Sequence, residues 1–144
     1  MTRIGLVVLN AFVAFTAIFG AIFVVPTIPP EWLKHGPFTD YTIPALALGI
    51  LVGGSALLAS ILLLVRPWAG AVATIGAGAM IIGFELVEIG VVGFTLIEYD
   101  PALFQSWLQV VYLALGGLQV IFGYLLWRRL APVRARSNLV QQAR

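Results

Sequence analysis

The sequence predicts an all-α integral membrane protein, an antiparallel four-helix bundle with both termini cytoplasmic. Composition is the first reason. The chain of 144 residues is 61% hydrophobic and only 10% charged, whereas a soluble domain carries about 25% charged residues. The second reason is length. Apolar runs near residues 4–25, 43–65, 69–93 and 103–127 can each cross a hydrocarbon core of roughly 30 Å. The third is charge asymmetry. Arg3, Arg66 and the five arginines after Trp127 fall on one side of this arrangement, and Lys34 alone on the other. That bias is the positive-inside signal. Glu31, Asp40, Glu98 and Asp100 all fall on the outer side. Residues 1–127 thus read as one transmembrane domain, 128–144 as a basic cytoplasmic tail, and the whole as a multi-pass protein of the cell (inner or plasma) membrane.

The first run, Ile4 to Val25, is longer than a signal-peptide core of about 7–15 residues, and no small-x-small cleavage site precedes a polar start. It reads as a retained helix with two faces. Asn10, Ala14, Ala17 and Ala21 form a small, slightly polar stripe suited to close helix packing. Phe12, Phe15, Phe19 and Phe23 form a ridge on the opposite side, expected to face lipid, with a partner subunit or a pigment as alternatives.

The connection Pro26–Thr42 is the longest. Pro29–Pro30 before Glu31–His35, with Gly36 behind, has the punctuation of a single helical turn. Trp32, Phe38 and Tyr41 suit the headgroup level. The second run, Ile43 to Val65, has Pro44 in its first turn and a small stripe of Ala45, Gly49, Gly53, Ala56 and Ser60. The GxxxG at 49–53 marks a helix–helix contact. Arg66–Pro67–Trp68 is so short a turn that the second and third helices must be antiparallel neighbours.

The third run, from Trp68 to Ile97, carries the most informative residues. GFELVEIGVVGF holds Glu85 and Glu88, three residues apart and therefore on one helical face. Ile81, Gly78 and Thr74 precede them on that face, and Val92 and Thr95 follow. An ionised carboxylate facing lipid costs at least about 2.5–3.5 kcal/mol, so both acids should point into protein or water. Glu85 is about 25 Å from Trp68 at 1.5 Å per residue, beyond the bilayer middle, and Glu88 is nearer the outer interface. Gly90 and Gly93 leave room for a distortion just past them. Glu98–Pro101 is a polar turn.

The fourth run, Ala102 to Trp127, places Gln105, Gln109, Tyr112, Gly116, Gln119 and Gly123 on one narrow face. Buried amides there need partners, because an unpaired polar group in hydrocarbon costs several kcal/mol. Gln109 lies about 27 Å from the inner boundary, level with Glu85 on an antiparallel neighbour. Glu85, Glu88, Gln109 and Tyr112 are therefore expected to form one intramembrane polar site. Asn10, Gly49, Gly53, Ser60, Gly116 and Gln119 are the expected helix-packing positions. Beyond Trp127 comes an acid-free tail, mobile or interfacial. Its Arg128, Arg129, Arg134 and Arg136 should attract anionic lipid headgroups at about 1 kcal/mol each.

The stretch GPFTDYTIPALALGILVGGSALLA, with the RPWAG turn and a third helix bearing acids, resembles a group of small, uncharacterised bacterial four-helix membrane proteins marked by a PFxDYxIP loop element. The likeness covers most of Gly36 to Gly93 and implies a fold, with no activity attached. A looser likeness to DoxX-like proteins rests on helix number and size alone.

Composition also excludes functions. With no cysteine, disulfides, thiolate metal sites and thiol nucleophiles are impossible. The single histidine, His35, rules out a multi-histidine metal or haem site within one chain. The net charge of +2 with pI near 9.4 points to anionic lipid rather than nucleic acid, because the basic excess adjoins a membrane helix. None of the HExxH, GxSxG or P-loop motifs of enzymes occurs. The leading expectation is a non-catalytic accessory or assembly subunit of a larger membrane complex or homo-oligomer. The alternatives are a binder of a lipophilic ligand (quinone, lipid or pigment) and a proton- or cation-handling protein using Glu85 and Glu88. No cofactor is assigned.

Overall fold

The computed structural model describes residues 2–27, 38–92 and 103–142. Every regular element among them is helical: α1 (Arg3–Phe19), α2 (Thr42–Leu46), α3 (Gly54–Val65), α4 (Pro67–Val92) and α5 (Leu103–Gln142). A π-helical turn at Gly20–Val24 continues α1, and a π-helical stretch at Ala47–Gly53 joins α2 to α3. Four stretches are long and apolar enough to cross a membrane: Arg3–Phe23, Thr42–Val65, Pro67–Gly90 and Trp107–Ala131. We refer to them as the first to fourth spans. They match the four runs expected from the sequence to within a few residues. The proposed turn at residues 29–36 with Trp32 and His35, the Glu98–Pro101 turn, Gly93 and Thr95 lie outside the described residues. Gly90 lies within α4, which continues past it to Val92.

Several helix ends have a local cause. The Thr2 hydroxyl accepts from the Gly5 amide, 3.2 Å away, and caps the start of α1. Asp40 accepts from the Thr42 amide at 2.8 Å and fixes the entry to α2. That bond to the Thr42 amide, with help from the Thr42 hydroxyl, holds the Asp40 carboxyl below its usual range. The DYTIP element therefore has a physical role: the acid holds the Thr42 amide at the helix entry, and Pro44 occupies the first turn, where its missing amide costs nothing. Pro67 opens α4 in the same way. At the α3 C-terminus, Arg3 donates from Nε to the Leu63 carbonyl at 2.6 Å, and its other nitrogen donates to the Leu64 carbonyl. A cation on the last carbonyls of a helix satisfies orphan acceptors and complements the dipole.

The spans alternate in direction. Ser60 reaches the Val7 carbonyl at 3.4 Å, and a Cβ on Gly53 or Gly49 would meet Ile18 or Ala21, so the first and second spans run antiparallel. The α3–α4 hairpin closes at Gly70, where a Cβ would lie 2.3 Å from the Leu63 amide nitrogen. The tightest approach between distant elements joins α4 to α5. A Cβ on Gly78 would lie 2.6 Å from the Gly116 carbonyl oxygen, and one on Gly116 would lie 2.3 Å from Ile81. One layer of the interior is Val13, Ala14, Ala17, Val52, Ala56, Ala59, Ala77 and Ile81. The small stripes face inward: Asn10, Ala14, Ala17, Gly53, Ala56 and Ser60 are buried, and Gly49 is half-buried. Phe12, Phe15, Phe19 and Phe23 are exposed, and successive rings from Phe15 to Phe23 touch.

The fourth span differs from expectation at its end. The helix does not stop near Trp127 but continues through Pro132 to Gln142. Pro132 has no amide to donate, so the Arg128 carbonyl loses one helical partner and the backbone otherwise carries on. At 40 residues this helix is about 60 Å long. The basic segment is thus a helical extension of the span.

Gly116→Leu should lower thermal stability in detergent by about 1–3 kcal/mol, the cost of overpacking. Gly83→Ala, whose Cβ would meet nothing within 4 Å, should leave stability unchanged or raise it by up to about 1 kcal/mol. Equal melting temperatures for Gly116→Leu and wild type would show that the two helices do not meet there.

Candidate functional site

Two polar clusters lie inside the bundle, both on the face of α4 that begins with Thr74 and continues through Gly78, Ile81, Glu85 and Glu88. The first joins three spans. Asn10 donates from Nδ2 to the Leu6 carbonyl at 2.8 Å and to the Thr74 hydroxyl at 3.3 Å. Gln119 donates from Nε2 to Asn10 Oδ1 at 3.1 Å. Thr74 donates to the Gly70 carbonyl at 2.8 Å. All three side chains are completely buried. Asn10 and Gln119 are expected packing residues, and here they bond directly to each other. Gln119 Oε1 has no partner.

The second cluster contains the expected polar site. Glu85 is 3% exposed and Gln109 is 2% exposed. The Gly78–Gly116 contact sets the register: two turns further along α4 and two turns back along α5 bring Glu85 level with Gln109. Tyr112, one turn deeper on α5, is half-buried, interacts with Thr16 of α1, and lies within electrostatic reach of Glu85. Glu88 is half-buried, one turn nearer the end of α4, and also acts on Glu85. By this register Glu85 is level with Gln109, with Tyr112 one turn deeper and Glu88 one turn outward.

Glu85 Oε2 and both amide atoms of Gln109 are buried without a hydrogen-bond partner. In hydrocarbon such groups cost several kcal/mol each unless satisfied. A carboxyl and an amide can both donate and accept once the carboxyl holds a proton, so the cluster is chemically complementary to a proton, a water or a small polar group. Among the described residues, no set of three His, Asp or Glu side chains converges on a metal position.

Thr16 has little sequence signal beyond being a lone hydroxyl in an apolar run. Its hydroxyl also bonds back to the Phe12 carbonyl at 2.9 Å, a common way to satisfy threonine within a helix. Of the arginines expected at headgroups, Arg128 has its guanidinium carbon 5.9 Å from the Tyr124 ring centroid, within cation–π range. Arg129 is exposed beside it, and Arg134 and Arg136 fall on the helical extension.

Asn10→Leu and Gln119→Leu should each destabilise the bundle by roughly 0.6–2 kcal/mol, the scale of an interhelical bond in a membrane. The double variant should cost less than the sum, because one shared bond is lost only once. Strict additivity in a thermal-denaturation cycle would show that the two amides do not interact.

No protein-family model, curated protein or solved structure matches the chain.

Proposed function

We propose that this is a proton-handling membrane protein in which Glu85 is the titrating group and Glu88 connects it to the outer aqueous side. The observation that carries this reading is the buried, unpartnered set of Glu85 Oε2 and the Gln109 amide. When Glu85 holds a proton, acid and amide offer one another a donor and an acceptor, directly or through one water. When the proton leaves, a charge remains in the bundle and Gln109 loses a donor. The two states differ in which hydrogen bonds can form, and that difference lets protonation do work on the helices. Glu88, half-buried one turn outward, is the natural partner for proton exchange between Glu85 and the outer side. A lipophilic ligand with a polar head would use the same atoms, but a proton needs no further space.

The protein in this reading spans the cytoplasmic membrane with both termini inside. Arg3 and Arg66 gather at one end of the bundle, and the Asn10–Gln119 bond places Arg128 at that end too. Arg128, Arg129, Arg134 and Arg136 then meet anionic headgroups on the cytoplasmic face.

A second reading, an accessory subunit of a membrane complex or homo-oligomer, is favoured by the exposed ridge of contacting phenylalanine rings on α1. Infrared titration of the full chain in liposomes separates the two. Wild type should show a carboxyl carbonyl band that responds to pH and is missing in Glu85→Gln. Glu88→Gln should retain the band and slow its response. If Glu85→Gln and Glu88→Gln fold normally and leave the spectrum unchanged, the site is structural and the accessory-subunit reading takes its place.

A further inference from the structure

The three-span cluster of Asn10, Thr74 and Gln119 has a property that helix packing does not require. Gln119 is completely buried, one of its amide hydrogens is used on Asn10, and its oxygen accepts nothing. Interhelical bonding alone is served by the nitrogen. The unused oxygen is an acceptor in the interior with room in its hydrogen-bond capacity for water. It lies in the inner half of the bundle, whereas Glu85 and Gln109 lie in the outer half.

Both clusters lie along one line. Thr74, Ile81 and Glu85 share a face of α4, and Gln119, Gly116, Tyr112 and Gln109 share the facing stripe of α5. Thr74 and Glu85 are about 16 Å apart along the helix. Between them sits Ile81, fully buried, held against Gly116 and part of the apolar core with Ala17, Val52 and Ala77. A polar station thus lies on each side of Ile81. Hydrophobic constrictions of this kind close a path by excluding water and open it when they hydrate.

We infer that the bundle carries a gated proton path, in which Asn10–Thr74–Gln119 is an inner water-holding station and Ile81 is the closed apolar gate between it and Glu85. This rests on the reading of Glu85 as a proton-exchanging group. With the gate hydrated, Glu85 releases its proton from the carboxyl to a water at Ile81, and that water passes a proton on to the water at Gln119 Oε1. The carboxylate is reprotonated from the Glu88 side, so one positive charge crosses per proton and nothing is oxidised or reduced. The titratable and charged groups facing this path are Glu88, Tyr112 with Thr16 beside it, and Arg3 at the inner end, where it covers the Leu63 and Leu64 carbonyls.

The test is proton flux in liposomes holding the purified full chain and an internal pH dye, driven by a potassium gradient with valinomycin. Wild type should conduct slowly, and Ile81→Ala should raise the flux at least about tenfold by letting water into the constriction. The double variants Ile81→Ala/Glu85→Gln and Ile81→Ala/Gln119→Leu should return it to the wild-type rate. If Ile81→Ala does not fold, Ile81→Val makes the same comparison with a smaller rise. Wild-type flux from a folded Ile81 variant overturns the gate. Flux that persists at the Ile81→Ala rate after Glu85→Gln or Gln119→Leu overturns the path. Either result leaves intact an infrared band that depends on Glu85 in the Ile81-containing protein, so failure of the path and failure of the proton-handling reading are distinguishable.

Discussion

The structure depends on how closely α4 and α5 can approach. Between Gly78 and Gly116 there is no space for even one methyl group on either helix. That contact determines which residues of α4 are level with which residues of α5, and thereby the depth at which each polar side chain finds a neighbour. Were either glycine larger, the helices would separate or slide. Glu85 would then be shifted relative to Gln109, and Gln119 relative to Asn10. The polar chemistry of the bundle is a consequence of this steric fit.

The side chains are arranged as a lipid environment would favour. In water, large apolar residues are driven inward. Lipid tails are as apolar as leucine, so helices in a membrane associate through close packing and hydrogen bonds between helices. Many buried positions are small or polar, among them Ala14, Ala17, Ala56, Ala59, Ala71, Asn10, Ser60, Thr74 and Gln119, beside larger Leu6, Leu63 and Ile81. The exposed positions are Phe15, Phe23, Ile50, Leu64 and Ile121. The Asn10–Thr74–Gln119 bonds join the first, third and fourth spans, and Arg3 and Ser60 join the first to the second. The first span is thus tied to each of the other three through polar groups.

Much of this was legible in the sequence, because both relevant periodicities are strong. Spanning length identifies the four helices, and the spacing of small residues identifies their inner faces. The depths of Glu85 and Gln109, counted from opposite ends of antiparallel helices, agree closely enough to place them together. What escaped the sequence depends on choices between distant partners. Asn10 and Gln119 are each recognisable as polar packing residues, but nothing local says that they choose one another. Arg3 reads as a charge at the membrane edge, although it caps α3. Thr16 is lost in an apolar run. The π-helical turns at Gly20–Val24 and Ala47–Gly53 have no pattern distinct from the flanking α-helix, and Pro132 suggests an end that the backbone passes through. Gly70 is unremarkable until the hairpin brings the Leu63 backbone against it.

The chain has no cysteine, so engineered pairs report on register without background. The most direct measurement is disulfide formation in membranes by Glu85→Cys combined in turn with Gln109→Cys, Val110→Cys and Val111→Cys. Gln109 is buried, whereas Val110 and Val111 are exposed on the far side of α5. The account predicts rapid, high-yield cross-linking for the pair 85–109 and little for 85–110 and 85–111. Equal yields for all three pairs, or preferential cross-linking to 110 or 111, would contradict the register on which the intramembrane site depends.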